Sequence, residues 1–415
     1  LRLRGEAHDL DTAHGAGRGE LLSVALPRYE HGLAGAEAVS GPHRSMYGRC
    51  DRPRVVRVRV AFGDDLYVPT DLPESRFGTT KLVTIALPNY NGRRLLEAML
   101  PSIFSQNYSP YEVLVVDDAS TDDSVDYLGG RWPAVRVVEL ERQGGVTAAL
   151  NHCWRNALGV YVALLNTDVE LDRGWLGSLV EALEHHPDAV SATGKTLNYR
   201  GRELLDGAGD IVRWSGSASR RGFGQRDVGQ YDTPEPVFGA CAGMSLYRRS
   251  AFEAIGPFDE DFWAFHEDSD WAFRAQLAGL GCRYVPSAIA YHMGSETIGS
   301  GEHGGHRWYV QRRNTLAVVL KNYPASSIAR HGHDVVRYQL ACLRWAWNHR
   351  QLRWMARVWM DTAVALPRTI AKRREVQRSR RIGNHELELL LDPSIPSGQP
   401  TVVRRALRWV RSTNR

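Results

Sequence analysis

Leu82-Val83-Thr84-Ile85-Ala86-Leu87 is halted by Pro88-Asn89-Tyr90-Asn91-Gly92 and followed by Leu95, Leu96, Met99, Leu100 and Ile103 at helical spacing; it reads as strand, loop and helix. The unit recurs downstream, with strands over 112–116, 135–140 and 160–165 and helices beginning at Asp122, Thr147 and Arg173. Four such alternations predict an α/β fold whose largely parallel sheet is covered on both faces. In open sheets of this kind ligands bind outside the carboxyl ends of the strands. The loops at those ends are the polar ones here, 88–92, 117–121, 142–145 and 166–168. One nucleotide-type site built from four loops is expected.

The remaining chain divides around this core. Residues 1–75 are rich in Gly, Ala, Arg and His, with scattered apolar runs such as 55–60, and read as a loosely attached extension of the domain that begins near Leu82. No basic segment followed by an apolar one is evident in the first 80 residues. Residues 195–236 are Gly- and Arg-rich with weak periodicity, which predicts a partly ordered insertion over the site. A strand-like run of small residues over 237–247 follows, then a helix from Ser250, an aromatic and acidic loop over 258–265, a helix over 267–277, and two short strands near 282–286 and 288–292. Past Tyr323, Val336, Leu340, Leu343 and Trp347 share one helical face and Leu352, Met355, Trp359 and Leu366 another, predicting two amphipathic helices broken near Asn348. A basic run over 368–381 and a basic amphipathic segment over 402–410 complete the chain. The domains expected are thus 1–80, 81–322 (a nucleotide half, 81–194, and an acceptor half, 195–322) and 323–415.

Composition narrows the functional classes. Of 415 residues 43% are apolar and 24% charged, and no 18-residue apolar run exists, which speaks against a polytopic membrane protein. Five dispersed cysteines without a C-x-x-C pair suggest neither a disulfide framework nor a zinc knuckle, and fit a reducing cytosol. Net charge is +5, but residues 329–415 hold 18 Lys and Arg against 6 Asp and Glu. The basic charge is therefore a C-terminal property, compatible with a membrane surface as much as with a helical core. Only four of the basic residues are lysines, and nothing in the pattern points to nucleic acid.

Asp117-Asp118 ends an apolar strand and opens the turn Ala119-Ser120-Thr121-Asp122, where a carboxylate can accept from a base N–H or from ribose hydroxyls. Ser120, Thr121 and Asp122 equally suit an ordinary helix cap. Asn166-Thr167-Asp168 ends another strand about 50 residues on, where oxygen ligands can hold Mg²⁺ or Mn²⁺ or, again, cap a turn. Glu267-Asp268 opens a helix whose other face, Trp271, Phe273 and Leu277, is apolar; a carboxylate there can take the proton of an acceptor hydroxyl. Adjacent acids at a helix start are also common dipole partners, and Asp270 is an alternative base.

Taken together, Pro88 to Gly92, Val115-Val116-Asp117-Asp118-Ala119-Ser120-Thr121-Asp122, Asn166-Thr167-Asp168 and His266-Glu267-Asp268 resemble the ordered motifs of family 2 glycosyltransferases with the GT-A fold, over residues 82–322. The segment 239–244, Ile255-Gly256-Pro257-Phe258-Asp259-Glu260, Arg313-Asn314 and Lys321-Asn322 look most similar to the bacterial rhamnosyltransferase-like branch. The resemblance implies that Pro88 and Tyr90 line the nucleotide, Asp118 binds the base and Asp117 braces the loop. It further implies that Gly145 and Asn151 approach the ribose and diphosphate beside Asn166, and that Asp168, with His292, holds a divalent cation. Asp268 would be the base, Glu267 would orient the acceptor, and Trp263 and His266 would line the acceptor. The usual D-x-D is Asn166-x-Asp168 here, one carboxylate short, and the basic residue many relatives carry before the helix at Thr147 is absent unless Arg142 supplies it.

The function so implied is inverting transfer of a sugar, rhamnose on dTDP, to a hydroxyl of a bacterial surface glycan or a lipid-linked glycan. The expected place is the cytoplasm, peripheral to the inner face of its membrane. A sugar-1-phosphate nucleotidyltransferase and a catalytically silent glycan-binding protein of the same fold are the alternatives. The former needs a Gly-rich loop with Arg and Lys after the first strand, which residues 88–92 are not.

Overall fold

A computed structural model describes residues 57–60, 81–294 and 304–393; the segment 402–410 and the remainder of 1–80 lie outside the described residues. The central sheet runs in the order Arg57–Val60, Val135–Leu140, Tyr111–Asp117, Val83–Asn89, Tyr161–Leu165, Met244–Arg248, Ala189–Asn198, Gly281–His292 and Glu235–Val237. The first five strands are mutually parallel. Met244–Arg248 then runs antiparallel to both its neighbours and joins the two halves.

Side-chain alternation explains the double cover. Ile85, Leu87, Val113 and Val115 point to the face packed by Leu96, Leu100 and Ile103 of the helix Arg93–Phe104 and by Trp175, Leu179 and Leu183 of Trp175–His185. Ala86, Leu114 and Val116 point to the other, covered by Ala149, Leu150 and Cys153 of Val146–Arg155 and by Phe252 and Trp271. Each fully buried Leu, Val or Ile of these layers is worth about 1.5–3 kcal/mol of transfer free energy. The α/β class and the mostly parallel nucleotide half are as the motifs imply.

Several expectations change in detail. Residues 57–60, expected in a loose extension, add an edge strand parallel to Val135–Leu140. The run over 237–247 is two strands, Glu235–Val237 and Met244–Arg248, separated by small residues that pass close to the site; Gly243 O accepts Asn166 N at 2.7 Å. The two strands near 282–292 are one, Gly281–His292, with a register shift between Val285 and Ile289. Pro286 lies in that interval and has no N–H for the ladder, so a bulge lets the strand continue.

The insertion is built, too. Leu205–Gly207 pairs with Ala189–Asn198, and Asp210–Val212 forms a hairpin with Ala218–Arg220. The expected helices after Tyr323 are Ala325–Asn348 and Leu352–Ser379, preceded by an unforeseen helix, Gly304–Asn322, and followed by Asn384–Leu390. They join the acceptor half through a core of Trp214, Phe262, Phe273, Val318, Tyr323 and Val376. No helix among the described residues is long and apolar enough to cross a membrane.

Candidate active site

A cavity of about 350 Å³ opens at the carboxyl ends of the parallel strands, where the sheet topology predicts it. Pro88, Tyr90, Asp118, Asn166, Asp168, His266, Glu267, Asp268 and His292 all line it. Asp117, Gly145, Asn151 and Trp263 do not, and each has a different task.

The nucleotide loops are laced together by side chains. Asp117 accepts from Asn89 Nδ2 at 2.8 Å and from Ser120 N at 2.8 Å, and so braces the loop as the resemblance implies. Asn91 Oδ1 accepts from Thr121 N at 2.7 Å and Asp122 N at 3.2 Å across the same gap. Asp118, 4% exposed, accepts from Gly144 N at 2.7 Å and Gly145 N at 2.9 Å. Burial pushes its carboxyl above the usual range, against the two N–H groups that favour the charged form. Both oxygens thus hold the turn at Gly144 and Gly145 while the residue lines the cavity.

Asn151, expected beside the ribose, is a correction. It is fully buried; its amide donates to Phe258 O and Glu260 Oε1, both at 2.9 Å, and its oxygen accepts from Phe258 N at 3.0 Å. Every polar atom is spent tying the helix Val146–Arg155 to the aromatic loop. Arg313 and Asn314 clamp that loop from the other side: Asn314 Nδ2 donates to the carbonyls of Phe262, Ala264 and Phe265, and Arg313 Nη2 to Asp261 O and Phe262 O. Trp263, Phe265 and His266 are held at φ of 61°, 64° and 65°. Such left-handed non-glycine backbone persists only where surroundings over-determine it. Half-buried His266 titrates low, at about 4, through desolvation and the neighbouring Arg312, and is neutral at pH 7.

The loop delivers Glu267 and Asp268 to the cavity at the start of the helix Glu267–Leu277. Asp268 Oδ1 accepts from Ser269 N at 2.7 Å, yet burial still raises its carboxyl. Glu267 is 7% exposed with Oε2 unpartnered, and burial together with the Asp268 charge pushes it up to about 8. Asp270, the alternative base, faces away. It is fully buried against Arg274 Nε (3.0 Å), Lys321 Nζ (2.9 Å) and Asn322 Nδ2 (2.8 Å), partners that hold its carboxyl low against burial.

Asp168 is 2% exposed, and its Oδ1 has no hydrogen-bond partner, as a carboxylate waiting for a cation would be. His292 Nε2 stands 3.5 Å from Asp168 Oδ2, and Nδ1 stands 3.0 Å from Asp206 Oδ2. Burial works against its charge, but bonds to the two carboxylates push it up to about 9. His292 thus bridges Asp168 and Asp206 beside the place where a cation would sit. No group of three His, Cys, Asp or Glu fit to hold a metal occurs among the described residues. Asp168 fits a cation; the full donor set would need the substrate's oxygens.

Asp206, Asp210 and Arg220 escaped the sequence reading. They come from the short strands of the insertion, and Asp210 and Arg220 line the cavity while Arg220 pairs with Asp206. Arg307 and Gln311 reach it from the unforeseen helix Gly304–Asn322. The only available signal was the pair of aspartates in Leu205-Asp206-Gly207-Ala208-Gly209-Asp210, too short to show a strand period.

Comparison with known proteins adds an independent line. Residues 84–256 match Glycosyl transferase family 2. The putative teichuronic acid biosynthesis glycosyltransferase TuaG of Bacillus subtilis (strain 168) is 33% identical over 128 residues, 30% of this chain and 51% of that protein. Poly-beta-1,6-N-acetyl-D-glucosamine synthase of Staphylococcus aureus (strain COL) is 24% identical over 219 residues, 52% of this chain and 51% of its own. This chain thus spans about half the length of these two relatives. Among solved structures, S. aureus TarS 1–349 in complex with UDP-GlcNAc is 17% identical, with a TM-score of 0.48, over 72% of this chain and 86% of that one.

Proposed function

We propose that this chain, whose residues 84–256 match Glycosyl transferase family 2, moves a sugar, with inversion, from a nucleoside-diphosphate sugar to a hydroxyl of a glycan or lipid-linked glycan. The observation that carries the reading is the half-buried Asp268 carboxylate, facing the cavity that Tyr90, Asp118 and Asp168 also line, while Asp270 is bolted into an ion-pair network.

Tyr90 and Asp118 receive the nucleotide. Asp268 takes the proton of the acceptor hydroxyl as that oxygen bonds to the anomeric carbon. The bond from this carbon to the diphosphate oxygen breaks on the opposite face, and its electron pair leaves with the nucleoside diphosphate. Asp168 would hold Mg²⁺ or Mn²⁺, which would supply positive charge against that building on the diphosphate. Glu267, carrying a proton at pH 7, donates a hydrogen bond that orients the acceptor, and Trp263 and His266 wall the acceptor side. The sugar in this reading is rhamnose, supported by the resemblance of the segments around 239–244, 255–260 and 313–322. A lipid-linked acceptor would be met at the inner leaflet of the cytoplasmic membrane.

The test is a panel of nucleotide sugars, dTDP-rhamnose among them, scored for nucleoside-diphosphate release and for transfer. Turnover of one donor well above the others is expected. Donor binding without turnover of any member of the panel would leave a silent glycan-binding protein.

A further inference from the structure

The C-terminal helices present a surface that is both basic and apolar. In the basic run Arg368, Arg374, Arg378 and Arg381 are exposed, while Lys372, Arg373 and Arg380 are half-buried. Lys372 pairs with Asp259 and Asp261, Arg368 with Asp261 at 2.8 Å, Arg373 donates to Leu320 O at 2.9 Å, and Arg380 to Ile382 O at 2.6 Å. Large apolar side chains face outward as well. Val336 is 58% exposed, Leu340 59%, Trp347 70%, Met360 65% and Val364 82%.

The exposed apolar residues fall in stripes along the two helices, with Met360 and Val364 a quarter-turn or more round Leu352–Ser379 from the Leu352 stripe. Val336, Leu340 and Trp347 fall on one stripe of Ala325–Asn348, and Leu352, Trp359, Leu366 and Ile370 on one stripe of Leu352–Ser379. Trp359 Nε1 donates to Gln339 Oε1 at 3.1 Å and bridges the two. The buried sides of the same helices carry Cys342, Ala346, Met355 and Val358, so the helices are anchored and the outer stripes are surplus to the core. A contiguous exposed apolar face on an ordered element marks an interaction site.

We propose that this face docks on an anionic lipid bilayer, lying in the headgroup region with Trp347 and Trp359 at its boundary. Charge selects the occupant. Residues 325–367 hold six arginines against two aspartates. Asp334 is engaged by His331 and His333 and Asp361 by Tyr309 and Arg357, while Arg344 and Arg353 are exposed beside the apolar stripes. A second copy of the face would set arginine against arginine. Residues 393–415 of this chain contain five arginines and no acid, and meet the same repulsion. Anionic headgroups complement the arginines and acyl chains complement the stripes.

The placement suits the proposed acceptor. Trp354, at the start of Leu352–Ser379, packs on His306, and His306 on Trp263 at the acceptor rim, with ring centroids 5.8 and 6.4 Å apart. The biological purpose rests on the lipid-linked acceptor reading. Vesicle binding is measured without donor or acceptor, so a failure of docking and a failure of transfer are separate results.

The test is co-sedimentation of the full chain with phosphatidylcholine vesicles, alone or mixed with phosphatidylglycerol. Binding to the anionic vesicles is expected at least about tenfold tighter than to the neutral ones. The triple change Trp347→Ser, Met360→Ser and Val364→Ser should weaken it by at least about tenfold, and Arg344→Gln with Arg353→Gln should erase the anionic preference. All five positions are exposed, so unchanged circular dichroism and thermal melting should accompany the loss. A full chain that stays in the supernatant, undiminished binding by the triple variant, or binding that appears only after residues 394–415 are removed overturns the proposal. So does a dimer abolished by the triple change in a protein that ignores vesicles.

Discussion

Trp263 lies over Gly145 so closely that a Cβ on the glycine would stand 2.4 Å from Trp263 Nε1, and Trp263 O accepts Thr147 N at 3.0 Å. Gly145 also has φ +85°, and its N–H is held by Asp118. Asp118, the turn at Gly145 and the aromatic loop therefore form one mechanical chain.

Gly145→Ala should break that chain. This backbone, with ψ 173°, lies in an essentially glycine-only region that costs an L-residue about 1–3 kcal/mol, and the indole must move as well. The expected outcome is a loss of at least about tenfold in donor affinity, by calorimetry, and a larger loss of transfer. Unchanged donor affinity would mean that the turn does not support the nucleotide.

Lys321 joins Asp259 at 2.7 Å and Asp270 at 2.9 Å in a buried network between the catalytic helix and the C-terminal helices. Lys321→Met leaves two buried carboxylates short of a partner and should cost about 3–5 kcal/mol in chemical denaturation. A loss under about 1 kcal/mol would show that the remaining partners suffice.

Much of this was legible in the sequence. The strand periods at 83–87 and 112–116 fix which residues face each layer, and the polar loops that follow them fix where a ligand goes. The helix beside the aromatic loop was also readable, because Glu267 to Leu277 has its own apolar face. Asp206, Asp210 and Arg220 were not readable, since three-residue strands are too short for a period and their pairing is long-range. Asn151 and Lys372 misled for a related reason. A polar side chain that points to a ligand and one that points to Phe258 O or Asp261 have the same sequence signature, and only tertiary packing separates them.

Glu267 links stability to pH. Its carboxyl is raised to about 8, so folding favours the protonated form: the penalty is absent below the ordinary carboxylate range and grows as pH rises towards 8. Glu267→Gln should therefore raise the melting temperature more at pH 8.5 than at pH 5, while lowering transfer. An equal shift at both pH values would show that Glu267 is charged throughout.

Asp168 should be read through the nucleotide product. Calorimetry of nucleoside diphosphate should show affinity raised by Mg²⁺ or Mn²⁺ in the wild-type chain, and Asp168→Asn should remove that increment while changing metal-free affinity little. Metal-independent binding together with full transfer in EDTA would leave Asp168 as a partner of His292 alone.

The central claim is that Asp268 deprotonates the acceptor, and single-turnover transfer by Asp268→Asn tests it most directly, with donor affinity measured on the same preparation. Donor affinity should stay within about threefold of wild type while turnover falls by about 10²–10⁴, the range for loss of a general base. Near-normal turnover with intact donor binding would contradict the assignment and return the role to Glu267.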